Sequence, residues 1–197
     1  MPIQALIFDC DGTLVDSMPV HYQAWSETFA RHGIDFTEKV FYELAGTPTD
    51  RIAEIVGAAH GVVLDPVALA NEKDAQFMRQ TDRVQPRAAV VAIARAHRGR
   101  MPMAVASGSA RVLVETELSE LGLLDWFDAV LCAEDVERPK PAPDIFLTAA
   151  RRLGVAPEYC RVYEDADLGL QAAKAAGMDW VDVRTLNDTP GEDARDE

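Results

Sequence analysis

Cysteine is scarce in this sequence, and its three copies form no recognisable set. Cys10, Cys132 and Cys160 are odd in number, scattered along 197 residues and without metal-ligand spacing. They therefore point to reduced thiols rather than to a disulfide framework, and we predict a cytoplasmic location. Cys10 stands between two aspartates but faces the opposite way in an extended segment, so we expect it to pack as a small hydrophobic residue.

Positive charge and long hydrophobic runs are also lacking. The chain carries 19 Lys and Arg against 33 Asp and Glu, which gives a formal net charge of -14. Such a surface repels phosphate backbones and anionic lipids, so neither nucleic acid nor a membrane is expected as a partner. We expect no leader peptide, because no basic segment followed by an apolar one opens the chain. We also expect no membrane span, because no uninterrupted apolar stretch is long enough to cross a bilayer. An anionic small substrate would need local positive charge from a metal ion or a lysine.

The sequence does contain alternating strand and helix patterns, which are typical of an α/β protein. It is long for one domain and short for two full ones, and its 48% hydrophobic content suits a sizeable core. Residues 17–85 show helical patterns without a convincing strand, whereas strand and helix patterns alternate from residue 86. We predict a Rossmann-like, doubly wound parallel sheet of five strands formed by residues 1–16 and 86–186. Residues 17–85 would be an inserted helical cap, and the acidic tail 187–197 is predicted to be disordered.

The first predicted strand leads directly into two carboxylates. Ala5-Leu6-Ile7-Phe8 is apolar at every position, as in a strand that is buried on both faces of a parallel sheet. Asp9 and Asp11 follow it, at the end of the strand where open α/β sheets bind ligands. Carboxylates this close repel each other unless a cation or a shared proton separates them. The alternative is a plain turn, since Asp-x-Asp-Gly is common where aspartate bonds to nearby backbone.

Three more polar clusters follow predicted strands. They are Ser107, Lys140 and the pair Glu164-Asp165. Singly, these residues could be a turn serine, a solvated loop lysine and the capping charge of a helix. Because the strands of one parallel sheet end at the same edge, however, all four clusters are expected to converge on one crevice. Together they offer carboxylates for a hard divalent cation, and a hydroxyl and an ammonium for phosphate oxygens, as phosphoryl transfer requires.

Four segments carry a resemblance to a known family. They are Phe8-Asp9-Cys10-Asp11-Gly12-Thr13, Ala106-Ser107-Gly108-Ser109, Lys140-Pro141-Ala142-Pro143-Asp144 and Glu164-Asp165-Ala166-Asp167. In this order they resemble the four motifs of the haloacid dehalogenase superfamily, and the inserted helices resemble the cap of its β-phosphoglucomutase-like branch. Within that branch, residues 127–179 are most similar to bacterial fructose-1-phosphate phosphatases. The resemblance covers nearly the whole chain except its tail.

The resemblance implies roles for the two carboxylates of the first motif and for a metal ion. Asp9 would be the nucleophile that becomes an aspartyl phosphate, and Asp11 the general acid and then the base. Mg²⁺ would be held by the Asp9 carboxylate, the Asp11 backbone carbonyl, Asp165 and, directly or through water, Glu164. The cation is implied because a carboxylate and a phosphate dianion otherwise repel each other.

The remaining implied roles concern the substrate. Ser107 would donate to a phosphoryl oxygen and Lys140 would neutralise developing charge, with Thr13 and Gly108 also in the substrate site. His21 matches a histidine of the first cap helix, although a plain surface histidine is an equal alternative on this amphipathic helix. Lys73 falls where related caps carry a lysine that reaches the substrate. The loop arginine of the mutase has no unambiguous match, because Arg51 is displaced.

Three functions stay open after this reading. The leading prediction is a Mg²⁺-dependent phosphatase that acts on a small, phosphorylated sugar such as fructose 1-phosphate, and we expect it to be a monomer. The alternative enzyme is a β-phosphoglucomutase-type phosphosugar mutase, which keeps the same residues but returns the phosphoryl group to a sugar. A non-catalytic phosphosugar-binding protein is disfavoured by the intact Asp9, Asp11, Lys140 and Asp165. A dehalogenase is disfavoured because attack on a carbon halide needs no metal site.

Overall fold

The computed structural model of the protein describes residues 2–186, so the tail predicted to be disordered lies outside the described residues. The described strands, in chain order, are β1 (Ala5–Phe8), β2 (Val15–Asp16), β3 (Gln85–Pro86), β4 (Met103–Ala106), β5 (Ala129–Leu131), β6 (Cys160–Glu164) and β7 (Asp179–Asp182). The described α-helices are α1 (Met18–Arg31), α2 (Glu38–Glu43), α3 (Thr49–His60), α4 (Pro66–Phe77), α5 (Ala88–His97), α6 (Arg111–Glu120), α7 (Asp144–Leu153) and α8 (Asp167–Ala175).

Five of the strands form one parallel sheet in the order β5-β4-β1-β6-β7. β1 is the central strand, and its Ile7 stands opposite Ala104 of β4 and Val162 of β6. The helices that connect these strands cover both faces of the sheet, so the predicted doubly wound fold is confirmed. The ends of β1, β4 and β6 consequently meet at one edge of the sheet, where ligands of such folds bind.

The apolar run of β1 divides its side chains between two cores. Leu6 and Phe8 pack with residues of α5 and α6 on one face, and Ala5 and Ile7 pack with residues of α7 and α8 on the other. All four side chains are buried. This arrangement explains why the strand is hydrophobic at every position rather than at every second one.

Helices α1 to α4 lie between β2 and β3, which pair antiparallel with Val15 opposite Pro86. The pairing brings the two ends of the insertion together. It was not predicted, because strands of two residues are too short to show a periodicity. The insertion has its own aromatic cluster, which includes Trp25, Phe29 and Phe41. The division into a core domain and a cap at residues 17–85 stays a prediction. No helix within residues 2–186 is long and apolar enough to cross a membrane.

Candidate active site

The loop after β1 turns sharply beneath the site. The Asp9 amide donates to the carbonyl of Tyr163 at 3.0 Å, which continues the β1–β6 pairing by one residue. Gly12 has a φ of 78°, and its amide donates to the carbonyl of Val15 at 2.8 Å. A Cβ atom at position 12 would overlap the Asp165 carboxylate. Glycine is therefore required here both for the left-handed backbone and for the close approach of Asp165.

Lys140 lies between two carboxylates at the floor of the site. Its Nζ donates to Oδ1 of Asp9 at 2.6 Å and to Oε2 of Glu164 at 2.7 Å, and all three residues are buried. Although burial disfavours the ammonium charge, Asp9 and Glu164 hold the pKa of Lys140 above its ordinary value. Gly169 of α8 makes room for this group, since a Cβ atom there would fall on the Glu164 carboxylate.

Three carboxylates at this point outnumber the one ammonium, that of Lys140, beside them. Asp9, Glu164 and Asp165 each offer an oxygen within 4.8 Å of the other two. Burial, and then the charge of Glu164, raises the pKa of Asp9 to about 7. Burial and the charge of Asp9 likewise raise the pKa of Asp165 to about 7. The 3.0 Å hydrogen bond that Thr13 Oγ1 donates to Asp165 acts in the opposite direction and lowers this pKa.

The donor set of this group fits the magnesium ion that the sequence predicts. Three carboxylates against the one ammonium of Lys140 leave a formal charge of two negatives, which one divalent cation would neutralise. All donors are oxygens, and the carbonyl of Asp11 belongs to the same loop as Asp9. Hard cations such as Mg²⁺ prefer ligands of this kind.

The carboxylate of Asp11 points to a different set of partners. Its Oδ1 accepts from Ser17 Oγ at 2.6 Å and lies 2.8 Å from His21 Nε2. Its Oδ2 accepts from Ser109 Oγ at 2.6 Å and from Ser107 Oγ at 3.4 Å. Burial opposes the charge of Asp11, but the electrostatic attraction of His21, followed by the hydrogen bonds from His21, Ser109 and Ser17, holds its pKa below its ordinary value. In this arrangement Asp11 is ionised.

Two cap side chains reach the site from the inserted helices. His21 of α1 is 6% exposed and stacks on the ring of Phe77, with 4.0 Å between ring centroids. The reading of His21 as a surface residue is therefore wrong. Lys73 of α4 is 3% exposed, and its Nζ lies 3.1 Å from Oδ1 of Asp74. Burial, and then the charge of Lys73, lowers the pKa of His21, whereas the charge of Asp11, whose Oδ1 lies 2.8 Å from Nε2, opposes this shift.

A cavity of about 590 Å³ connects these groups. The sequence-predicted residues that line it are Asp9, Asp11, His21, Lys73, Ser107, Gly108, Lys140, Glu164 and Asp165. Thr13 is fully buried and is not among the described lining residues, and its hydroxyl instead holds Asp165. Arg51, on the wall formed by residues 44–52, lines the cavity while its guanidinium pairs with Glu54.

Sequence reasoning missed three polar residues around Asp11. Ser17 and Ser109 donate to the Asp11 carboxylate, and Glu117 of α6 is a buried carboxyl close to it. Ser109 was noted only as part of the motif Ala106-Ser107-Gly108-Ser109, without a role of its own. Glu117 had a usable signal, because it shares a helix face with Leu113, Val114 and Leu118.

Comparison with known proteins agrees with this geometry. The family model for haloacid dehalogenase-like hydrolases matches residues 3–177. The chain belongs to this family. Over 182 residues it is 47% identical to the fructose-1-phosphate phosphatase YqaB of Escherichia coli, which covers 92% of this chain and 96% of that protein. The predicted family, and the prediction of a phosphatase within it, are confirmed.

Two further relatives of this haloacid dehalogenase-like hydrolase are informative. The 6-phosphogluconate phosphatase of Escherichia coli is 30% identical over 183 residues, covering 90% of this chain and 80% of that protein. A crystal structure of a β-phosphoglucomutase from Clostridium difficile superimposes with a TM-score of 0.81 at 27% identity, covering 90% of this chain and 83% of that one. The fold is thus shared by proteins with two different reaction outcomes.

Proposed function

We propose that this haloacid dehalogenase-like hydrolase is a Mg²⁺-dependent phosphatase of a small sugar monophosphate, fructose 1-phosphate or a close relative. The observation that carries the proposal is the buried Asp9 carboxylate, paired with Lys140 beside Glu164 and Asp165 on the cavity floor. The name of the relative that is 47% identical over nearly its whole length supports the choice of sugar.

In the first step, an oxygen of Asp9 attacks phosphorus and the bond to the sugar oxygen breaks, which leaves an aspartyl phosphate. Lys140 already contacts Asp9, so its ammonium is placed to balance charge on the phosphoryl oxygens. The Ser107 hydroxyl, at the end of β4, lines the same cavity and would donate to another of these oxygens. Mg²⁺ held by Asp9, Asp165, Glu164 and the Asp11 carbonyl would supply the positive charge that the three carboxylates lack.

Asp11 would serve both steps as the proton carrier. It gives a proton to the departing sugar oxygen and then takes one from the water that cleaves the aspartyl phosphate. The four donors around Asp11 keep it ionised, which suits the base role. For the acid role it must first gain a proton, and the negative charge of a bound phosphate would raise its pKa in that direction.

The cap residues would select the sugar. His21 and Lys73 line the cavity from α1 and α4, and neither contacts the Asp9 carboxylate, so their binding energy would position the substrate rather than act on phosphorus. The wall of residues 44–52 closes the same cavity from the insertion. A chamber of about 590 Å³ suits a small phosphorylated sugar.

The alternative is a phosphosugar mutase, which the similarity to a β-phosphoglucomutase favours. Such an enzyme must hold a second phosphate group while the aspartyl phosphate persists. Two cations of the insertion line the cavity, but Arg51 pairs with Glu54 and Lys73 pairs with Asp74. Asp50 adds a negative charge beside Arg51. This arrangement offers weaker support for a bisphosphate than for a neutral sugar end.

Released phosphate distinguishes these functions. The purified chain with Mg²⁺ is incubated with a panel containing fructose 1-phosphate, 6-phosphogluconate and glucose phosphates. We expect net phosphate release from fructose 1-phosphate or a close relative, without a bisphosphate activator. Conversion of β-glucose 1-phosphate to the 6-phosphate, with a bisphosphate primer and no free phosphate, would instead establish the mutase. Absence of metal-dependent turnover of p-nitrophenyl phosphate would indicate the binding protein.

The remaining predictions accompany this proposal. A monomeric state, a cytoplasmic location and the absence of nucleic-acid and membrane partners are still predictions. The three cysteines are free and buried, which agrees with the expected reduced thiols.

A further inference from the structure

A carboxyl group is buried behind the catalytic loop without a part in the proposed reaction. Glu117 is 0% exposed on a helix face that it shares with leucine and valine. Its Oε2 accepts only a long hydrogen bond, 3.8 Å, from Sγ of Cys10. Its Oε1 has no hydrogen-bond partner in the described part of the chain. Burying a carboxyl oxygen without a hydrogen-bond partner destabilises the folded chain, so a ligand that binds this oxygen would be stabilising.

Two metal-binding side chains face this carboxyl. One oxygen of Glu117, one oxygen of Asp11 and one ring nitrogen of His21 all lie within 4.8 Å of one another. A tetrahedral ion with bonds of about 2.1 Å separates its ligand atoms by about 3.4 Å. Small side-chain movements would therefore bring the three atoms to binding distance. The ligands come from three elements: the loop after β1, helix α1 and helix α6.

We propose that Asp11, His21 and Glu117 form a second cation site, for Zn²⁺ or a similar first-row transition metal ion. The site is distinct from the all-oxygen group of Asp9, Glu164 and Asp165. Its imidazole nitrogen selects transition metals over Mg²⁺, which prefers oxygen. Three protein ligands would leave a fourth position for water.

The charges around the site are compatible with a divalent cation. Two carboxylates and one neutral imidazole would neutralise such an ion completely. The nearby ammonium of Lys73 is already paired with Asp74, which reduces its repulsion of a second cation. Burial, and then the charge of Asp11, raises the pKa of Glu117 to about 10. A bound cation would restore the charged carboxylate that burial now disfavours.

Occupation of this site would inhibit the enzyme. A metal ion bound to the Asp11 carboxylate would prevent Asp11 from carrying a proton. The same ion, bound also to His21, would hold α1 against the core. This consequence rests on the proposed function, whereas binding of the ion does not. Mg²⁺ would not relieve the inhibition, because it belongs to the other site.

Cobalt binding tests the site without any activity measurement. Co²⁺ in a tetrahedral nitrogen and oxygen site absorbs visible light strongly, whereas octahedral Co²⁺ in an all-oxygen site absorbs weakly. With Mg²⁺ in excess, titration of the purified chain with Co²⁺ should give the strong visible bands. Glu117→Gln and His21→Gln should each abolish them, and Glu115→Gln, on the exposed side of the same helix, should retain them. Weak bands in the unmodified chain, or equal bands in Glu117→Gln, would overturn the proposal.

Zinc inhibition tests the consequence. Because changes around a metal ligand already cost about 10–100-fold in affinity, loss of Glu117 should raise the half-inhibiting Zn²⁺ concentration at least about tenfold. Activity with Mg²⁺ alone should be unchanged in Glu117→Gln. Zinc inhibition that Mg²⁺ relieves, or that Glu117→Gln leaves unaltered, would contradict the inhibitory role. If no sugar phosphate is hydrolysed at all, the cobalt experiment still decides whether the site exists.

Discussion

Nε2 of His21, on the first inserted helix, lies 2.8 Å from Oδ1 of Asp11, on the loop that follows the first strand. A residue of the insertion thus contacts the proposed proton carrier directly. Lys73 lies near the same ring, and its charge helps to lower the pKa of His21. Substrate that displaces this contact would free Asp11 to reach the sugar oxygen. Binding in the cap and proton transfer in the core would then be coupled through one hydrogen bond.

Replacing Lys73 by alanine should impair the use of a specific sugar phosphate. Hydrogen bonds to charged groups contribute about 1.5–3 kcal/mol, so kcat/KM for the preferred sugar phosphate should fall about 10-fold to 100-fold. For acetyl phosphate, which has no sugar to contact, kcat/KM should change little. Lys39→Ala is the matched control, because Lys39 is an exposed lysine of the same insertion. Equal losses for both substrates would contradict a sugar-binding role for Lys73.

Replacing Asp11 by asparagine should separate proton transfer from nucleophilic attack. General acid–base catalysis contributes about 10²–10⁴-fold, so single-turnover phosphorylation by a sugar phosphate should slow by that factor. Nitrophenyl phosphate should suffer less, because its good leaving group needs no proton. Metal binding should be retained, since the proposed ligand at this position is a backbone carbonyl. Equal losses with both substrates would argue against the acid role.

Replacing Asp9 by asparagine should abolish the phosphoenzyme. The aspartyl phosphate forms on this carboxylate in the proposed mechanism, so acid-quenched protein should carry no phosphoryl group. Mass measurement of the quenched protein, with the unmodified chain in parallel, decides the result. A phosphoryl group still found on Asp9→Asn would assign the nucleophile to another residue.

Metal dependence should follow from the oxygen donors of Asp9, Glu164 and Asp165. Mg²⁺ should support activity, while Ca²⁺ should not, because Ca²⁺ takes more ligands in looser geometry and would disturb in-line attack. Phosphate release is measured after chelation and after each ion is restored. Full activity after exhaustive chelation would rule out the metal site.

Much of the fold could be predicted because its signals are local. The run Ala5–Phe8 is apolar on both faces, and β1 is the central strand of the sheet. The polar residues after β1, β4 and β6 gather because parallel strands end at one edge. The β2–β3 pair escaped prediction, since its stability comes from contacts between residues far apart in the chain, such as Val15 and Pro86, which are 71 positions apart.

The surroundings of Asp11 could not be read from the sequence in the same way. Whether His21 faces solvent or Asp11 depends on how α1 packs, and helical periodicity alone leaves both open. Ser17 and Ser109 meet at Asp11 only in the folded chain. Thr13 turned toward Asp165 rather than toward the cavity, because the turn at Gly12 brings that carboxylate close.

Replacing Glu117 by methionine should stabilise the protein, increasingly so as the pH rises. Burial raises the pKa of Glu117 from 4.5 to about 10, so above pH 4.5 the folded chain must hold a proton that the unfolded chain releases. At pH 7 this costs about 3 kcal/mol by the usual conversion of pKa differences. Methionine has a similar unbranched shape, needs no proton and fits the apolar face of α6.

The stability gain is measured as the difference in unfolding free energy between Glu117→Met and the unmodified chain, by urea titration with chelator present. The difference should be small at pH 4.5, grow through pH 7 and level off near pH 10, where the folded form also loses the proton. Glu115→Met is the control, because Glu115 is half-exposed and pairs with Arg111 at the surface, where an ion pair contributes little. A difference that stays constant with pH would mean that Glu117 is ionised in the folded protein, held by a partner other than the weak thiol of Cys10.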